Sequence, residues 1–169
     1  MSRTHRDARS FVLAAHPTAR GIGWTLFESP LSPVDWAVMR STDNARCLRR
    51  LERIIDRYSP EVLVLEAPRE RHSGEQNRVE RLARAIAQLA ANRGIEVCFH
   101  SRHVIRAQFA NFGAQTRYEI AQAIASHIDA FRHRLPPQRK AWMSIDARLS
   151  LFDAAALAIT HFAALKEGV

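Results

Sequence analysis

Lysine is all but missing from this chain. Only Lys140 and Lys166 stand among its 25 basic side chains, and the rest are arginine. Cysteine is nearly as scarce: Cys47 and Cys98 are isolated and carry no metal-ligand spacing. That excludes a disulfide framework or a zinc cluster, and it fits a reducing, cytoplasmic setting in which both serve as small buried apolar residues. No apolar run approaches the roughly 20 residues that span a bilayer. Residues 1–10 are polar and arginine-rich without an apolar stretch, so they read as a flexible basic arm rather than a secretory signal. No internal repeat and no low-complexity segment interrupts residues 11–169, which read as one domain with a full-sized core.

What is present in excess is positive charge. The net charge is +8 and the pI about 10.9. Arginine forks match phosphate oxygens bidentately, so a nucleic-acid partner is the first reading of the excess. A solvated basic surface explains charge alone equally well.

The pattern along the chain is α/β. Residues 11–16 read as a first strand, Gly21–Glu28 as a second and Asp35–Arg40 as a third, joined by short turns into an antiparallel meander. Leu48, Leu51, Ile55 and Tyr58 recur at helical spacing and predict a helix over 43–58, capped by Asp43 or Asn44. Arg46, Arg50, Arg53 and Arg57 stripe its opposite face. The run Val62-Leu63-Val64-Leu65 predicts a buried strand ending at Glu66. A second helix is expected over 75–93, a fifth strand over 95–100, and a third helix from the capping box of Thr116 and Glu119. Residues 131–145 read as a connecting loop. A last, nearly all-apolar helix begins near Ser150 and runs to about Lys166.

Four residues stand out as candidates for chemistry. Glu66 closes a strand, where open α/β sheets place ligands. Asp153 lies in an apolar helix, where a buried carboxylate needs a partner; with Ser150 as N-cap it would instead simply complement the helix dipole. His16 ends the first strand, as a metal ligand, a phosphate contact or a satisfied structural histidine. Asp146 precedes the last helix, either near the site or as an exposed loop acid. Arg69, Arg71, His72 and Arg78 follow Glu66, and Arg117 opens the third helix, which makes these five the candidate nucleic-acid contacts. Phe109 and Phe112 flank a stretch ending at Gly113 and could stack on bases or anchor the loop to the core.

Taken in order, Val12 to Pro17 with Gly21-Ile22-Gly23-Trp24, Val64-Leu65-Glu66, and Phe152 to His161 resemble the motifs of RuvC-type Holliday-junction resolvases, which have the ribonuclease H-like fold. The resemblance implies a mixed five-stranded sheet, with an antiparallel β1-β2-β3 meander plus parallel strands, flanked by helices. It implies a metal-dependent endonuclease acting on branched DNA, with Mg²⁺ or Mn²⁺ held by Glu66, Asp153 and His16 and with Asp146 near them. It also implies a homodimer. Two positions depart from the pattern. His16 stands in place of the family's first Asp, and a neutral imidazole offers one lone pair where a carboxylate can bridge two ions. Ser150 stands where the family has another acid or a histidine. Fewer acidic ligands imply an altered metal arrangement or a catalytically degenerate relative that binds nucleic acid without cleaving it. A phosphotransferase or ATPase of the actin-like branch is disfavoured, because no phosphate-binding glycine pattern is present and the chain is about half the needed length.

Overall fold

The computed structural model describes residues 9–69 and 77–168. Its elements run β1 (Val12–Thr18), β2 (Gly21–Ser29), β3 (Ser32–Arg40), α1 (Asn44–Tyr58), β4 (Val62–Glu66), α2 (Arg78–Asn92), β5 (Glu96–His100), α3 (Arg102–Ala110), α4 (Arg117–His127), α5 (Asp129–Arg132) and α6 (Leu149–Glu167). One five-stranded sheet has the order β3-β2-β1-β4-β5. The first three strands form the expected antiparallel meander, and β4 and β5 run parallel to β1.

Alternation along the strands divides the interior in two. Leu13, Ala15, Leu63 and Leu65 face α1 and α2, which present Cys47, Leu51, Ile55, Leu82 and Ile86. Val12, Ala14 and Val64 face the other way, toward α6 and the shorter helices α3, α4 and α5. By length and composition α6 could cross a membrane, but most of it is buried in the fold, as a core helix. Its contact with the sheet is intimate. A Cβ built on Gly23 would lie 2.2 Å from the Ser150 carbonyl carbon and oxygen, so the backbones of β2 and α6 touch at a point where no side chain fits.

Local chemistry explains several boundaries. Asp43 caps α1 by accepting hydrogen bonds from Ala45 N and Arg46 N, and the arginine stripe on that helix is exposed. The capping box at Thr116 and Glu119 is complete. Helix α2 starts at Arg78, with Asn77 as its N-cap; the earlier start expected at Glu75 falls outside the described residues.

Other expectations are corrected. Helix α3 was not among the expected elements; it is capped by Ser101 and buries only Ile105 and Phe109. Phe109 is therefore core, while Phe112 is 54% exposed. Ser150 is not the N-cap of α6: it lies inside the helix, buried, and its hydroxyl donates to the Ala147 carbonyl at 2.7 Å. Cys47 is buried as expected, but Cys98 is only half-buried on the edge strand β5. Most of the basic arm lies outside the described residues; at its end the Ser10 hydroxyl donates to Glu61 at 2.6 Å.

Across the α6 face, His100 at the end of β5 meets His161, with Nε2 and Nδ1 3.3 Å apart. Burial holds both imidazoles below the usual histidine range, and for His161 the neighbouring His100 adds to the effect. The folded protein thus takes up protons at these rings less readily than the unfolded chain, which protonates them near pH 6.5. Stability is at its full value above that pH and falls as pH drops below it, because the unfolded state then binds more protons. The unfolding midpoint is expected to drop between pH 7 and 5.5, with a shallower slope in His100→Gln; equal slopes in the two proteins would contradict this account.

Candidate functional site

The sheet brings three of the four candidate residues to one point. Strands β1 and β4 pair in parallel with Val12 opposite Val62 and Ala14 opposite Val64, and the same offset carried two residues further sets His16 beside Glu66. Period-two alternation then turns both side chains to the α6 face. On that face the close approach at Gly23, the cross-strand partner of His16, seats the first turns of α6 against the sheet. Asp153 projects from there. His16 Nε2 lies 3.5 Å from Asp153 Oδ2, and His16 Nδ1 lies 3.8 Å from Glu66 Oε2. The side chains of His16, Glu66 and Asp153 are 15%, 17% and 9% exposed.

Both carboxylates are already engaged by arginine. The Arg117 guanidinium grips Asp153 bidentately: Nε donates to Oδ1 at 3.0 Å and to Oδ2 at 2.9 Å, and Nη2 also donates to Oδ2. Arg102 lies along Glu66, with Nε 3.3 Å from Oε1 and Nη2 donating to Oε2 at 3.4 Å. Arg69, mostly exposed, approaches Glu66 Oε1 at 3.8 Å. Arg102 and Arg117 are the first residues of α3 and α4. A cation at a helix N-terminus faces the positive end of the dipole, and here the two carboxylates offset that repulsion. Burial pushes the His16 imidazole below its usual range; Asp153 and Glu66 pull it up, while Arg117 and Arg102 push it down. Burial thus disfavours a charge on His16, which stands between two ion pairs.

Arg102 carries no signal as a motif. What could have found it is position: only Ser101 separates it from β5, whose last residue, His100, pairs with Glu66.

The remaining candidates sit elsewhere. Asp146 is not brought into the group. Its carboxylate accepts from Arg148 Nε at 3.0 Å and Nη2 at 2.6 Å, and those bonds hold its carboxyl below the usual aspartate range. Arg78 binds protein acceptors: Nη1 donates to Asn44 Oδ1 at 2.6 Å, and Nη2 donates to the Thr18 and Ala19 carbonyls at 3.0 and 2.7 Å. It clamps the start of α2 to the β1–β2 turn. Arg71 and His72 lie outside the described residues.

His16 and Glu66 line a depression of about 360 Å³ with Thr18, Arg69, Arg102 and Arg117, and Asp153 lines an adjoining hollow that shares Glu66, Arg102 and Arg117. A pair of Mg²⁺ or Mn²⁺ ions would need several free oxygen donors and a bridging carboxylate. The residues present do not fit that demand. Each carboxylate is paired with a guanidinium, the bridging position is an imidazole, and among the described residues no group of three or more His, Cys, Asp or Glu side chains is arranged to hold a metal. The arrangement favours an anion. A phosphate entering the depression meets guanidinium donors held in place by the carboxylates behind them.

No protein-family model and no curated protein matches the sequence. Solved structures do. The chain is similar to RuvC of T. thermophilus in complex with a Holliday junction substrate, at TM-score 0.69 and 17% identity over 94% of this chain and 96% of that one. It is similar to a second Thermus thermophilus RuvC structure at TM-score 0.68, also at 17% identity and with the same coverage. It is similar to the yeast mitochondrial Holliday junction resolvase Ydc2 at TM-score 0.60 and 14% identity, over 94% of this chain and 83% of that one. The chain has the RuvC-like, ribonuclease H-like fold.

Proposed function

We propose that this protein binds branched or structured nucleic acid, such as a four-way DNA junction, through the strand-end site, and that it does so without metal-dependent cleavage. One observation carries the reading: the pairing of Asp153 with Arg117 and of Glu66 with Arg102 puts guanidinium where a two-metal nuclease needs dications. The basic excess of the chain and the junction complex of the Thermus RuvC support the choice of ligand. In this reading Arg69, Arg102 and Arg117 contact phosphate, Glu66 and Asp153 orient the guanidinium groups, and His16 holds the two pairs apart. Arg71 and His72, candidate contacts from the sequence, lie outside the described residues.

Contacts of this kind give affinity that falls steeply with salt and reads little sequence. Incubation with a labelled four-way junction in Mg²⁺ or Mn²⁺ is expected to give a salt-sensitive shifted band and no product above that of Glu66→Gln. Metal-dependent product that Glu66→Gln abolishes would restore the endonuclease reading, which the convergence of His16, Glu66 and Asp153 favours.

A further inference from the structure

A second basic cleft, of about 370 Å³, lies beside the strand-end site and contributes nothing to it. Arg20 from the β1–β2 turn, Arg40 from the end of β3, and Arg139 and Arg148 from the segment before α6 line it, and Asp146 is its one acid. Arg148 already pairs with that acid. The Arg20 side chain has no hydrogen bond or ion pair among the described residues, and Arg40 acts on Asp146 only at longer range. Like charges gathered around a concave surface repel one another unless a polyanion joins them.

The cleft is continuous with the site. Arg139 lines both this cleft and an intervening hollow, and Arg117 lines both that hollow and the depression holding His16 and Glu66. Met143 lines the cleft, and its neighbour Trp142 stands at the rim, outside the lining. The turn at 140–143, held by Met143 N donating to the Lys140 carbonyl at 2.9 Å, presents Trp142 at 79% exposure. Lys140 Nζ sits 5.2 Å from the centre of the indole ring. Met143 and Ile145 beside it are about half exposed.

We infer that this cleft is a subsite for an unpaired nucleic-acid strand leaving the strand-end site, with Arg20 and Arg40 on its phosphates and a base stacked on Trp142. The inference rests on the nucleic-acid reading above and adds the kind of strand. A duplex keeps its bases stacked on one another and would use the arginines but not the indole. An unpaired strand uses both, since every base has a face that stacks on an aromatic ring.

The test measures binding of a dT oligomer of about ten nucleotides, and of a duplex of equal length, to four proteins over a range of salt. These are wild type, Arg20→Ala/Arg40→Ala, Trp142→Ala, and Arg50→Ala/Arg53→Ala, the last removing equal charge from the exposed face of α1. Arg20→Ala/Arg40→Ala is expected to weaken oligomer binding about tenfold or more and to reduce the salt slope by about 1.4, at about 0.7 per single-strand phosphate contact. Trp142→Ala is expected to weaken the oligomer about fivefold or more and to leave the duplex nearly unchanged. If Arg20→Ala/Arg40→Ala merely equals the α1 control, or Trp142→Ala leaves oligomer binding intact, the cleft is a solvated basic surface and the inference falls while the strand-end site stands. If wild type binds neither nucleic acid nor a four-way junction, both proposals fall.

Discussion

Replacing Gly23 with alanine is expected to lower stability by about 3 kcal/mol or more, the upper range for forcing atoms into a filled interior. For a chain of this size that is a drop of roughly 6–12 °C in the unfolding midpoint. The cause is steric and local. The new methyl would sit 2.2 Å from the Ser150 carbonyl and 2.7 Å from Leu151 N, both backbone atoms, so no side-chain rotation relieves the clash. Either β2 bends or α6 moves outward. Movement of α6 carries Asp153 away from His16, so nucleic-acid binding at the strand-end site is expected to weaken at temperatures where the variant remains folded. Thermal unfolding followed by circular dichroism, with junction binding measured on the same sample, reads both effects. A midpoint within about 1 °C of wild type would show that β2 and α6 tolerate separation.

The second large effect concerns metal. Wild type is expected to bind Mn²⁺ only weakly, and His16→Asp alone to change little, because the new carboxylate would join a group that Arg102 and Arg117 already neutralise. Removing those guanidiniums together, in His16→Asp/Arg102→Ala/Arg117→Ala, leaves three converging carboxylates with only Arg69 nearby. A unit charge about 4 Å from another is worth about 4 kcal/mol at an effective dielectric near 20. Even a third of that, for each charge removed, is about a tenfold change in affinity. The triple variant is therefore expected to bind Mn²⁺ at least about tenfold more tightly than His16→Asp. Calorimetric titration measures the affinity, and a rise in unfolding midpoint on adding Mn²⁺ checks it independently. Equal affinity in the two variants would mean that the arginines do not block the site. Tight binding by wild type would remove the main support for the non-cleaving reading.

How far these features were legible in the sequence depended on how local their causes are. Helix α1 announced itself because burial imposes a period of 3.6 on neighbouring residues, and the meander and the Glu66 strand because short apolar runs stood between turn signals. The capping box at Thr116 is likewise a contact between residues three apart. Helix α3 was missed because it buries only Ile105 and Phe109 and leaves too little periodicity to detect. Ser150 resembled a cap because a serine three residues before an acid commonly is one. It instead lies inside the helix, where its backbone packs against Gly23, 127 positions earlier. The gathering of Glu66, Asp153 and His16 was anticipated through ordered motifs. The guanidinium partners were not, since Arg102 meets Glu66 across 36 residues and Arg117 meets Asp153 across another 36. Arg78, expected on nucleic acid, proved to be a clamp for the same reason: its acceptors lie 34 to 60 residues away.

The bidentate grip of Arg117 on Asp153 also constrains how this sequence can change. With Asp153 only 9% exposed, losing Arg117 first strands an acid in the interior, and losing Asp153 first strands a cation at the head of a helix. Each single step is costly and the double step is not, so the two positions are expected to drift together or not at all. The ion pair therefore acts as a lock: a change at either position alone is expected to lower the unfolding midpoint more than a change at both.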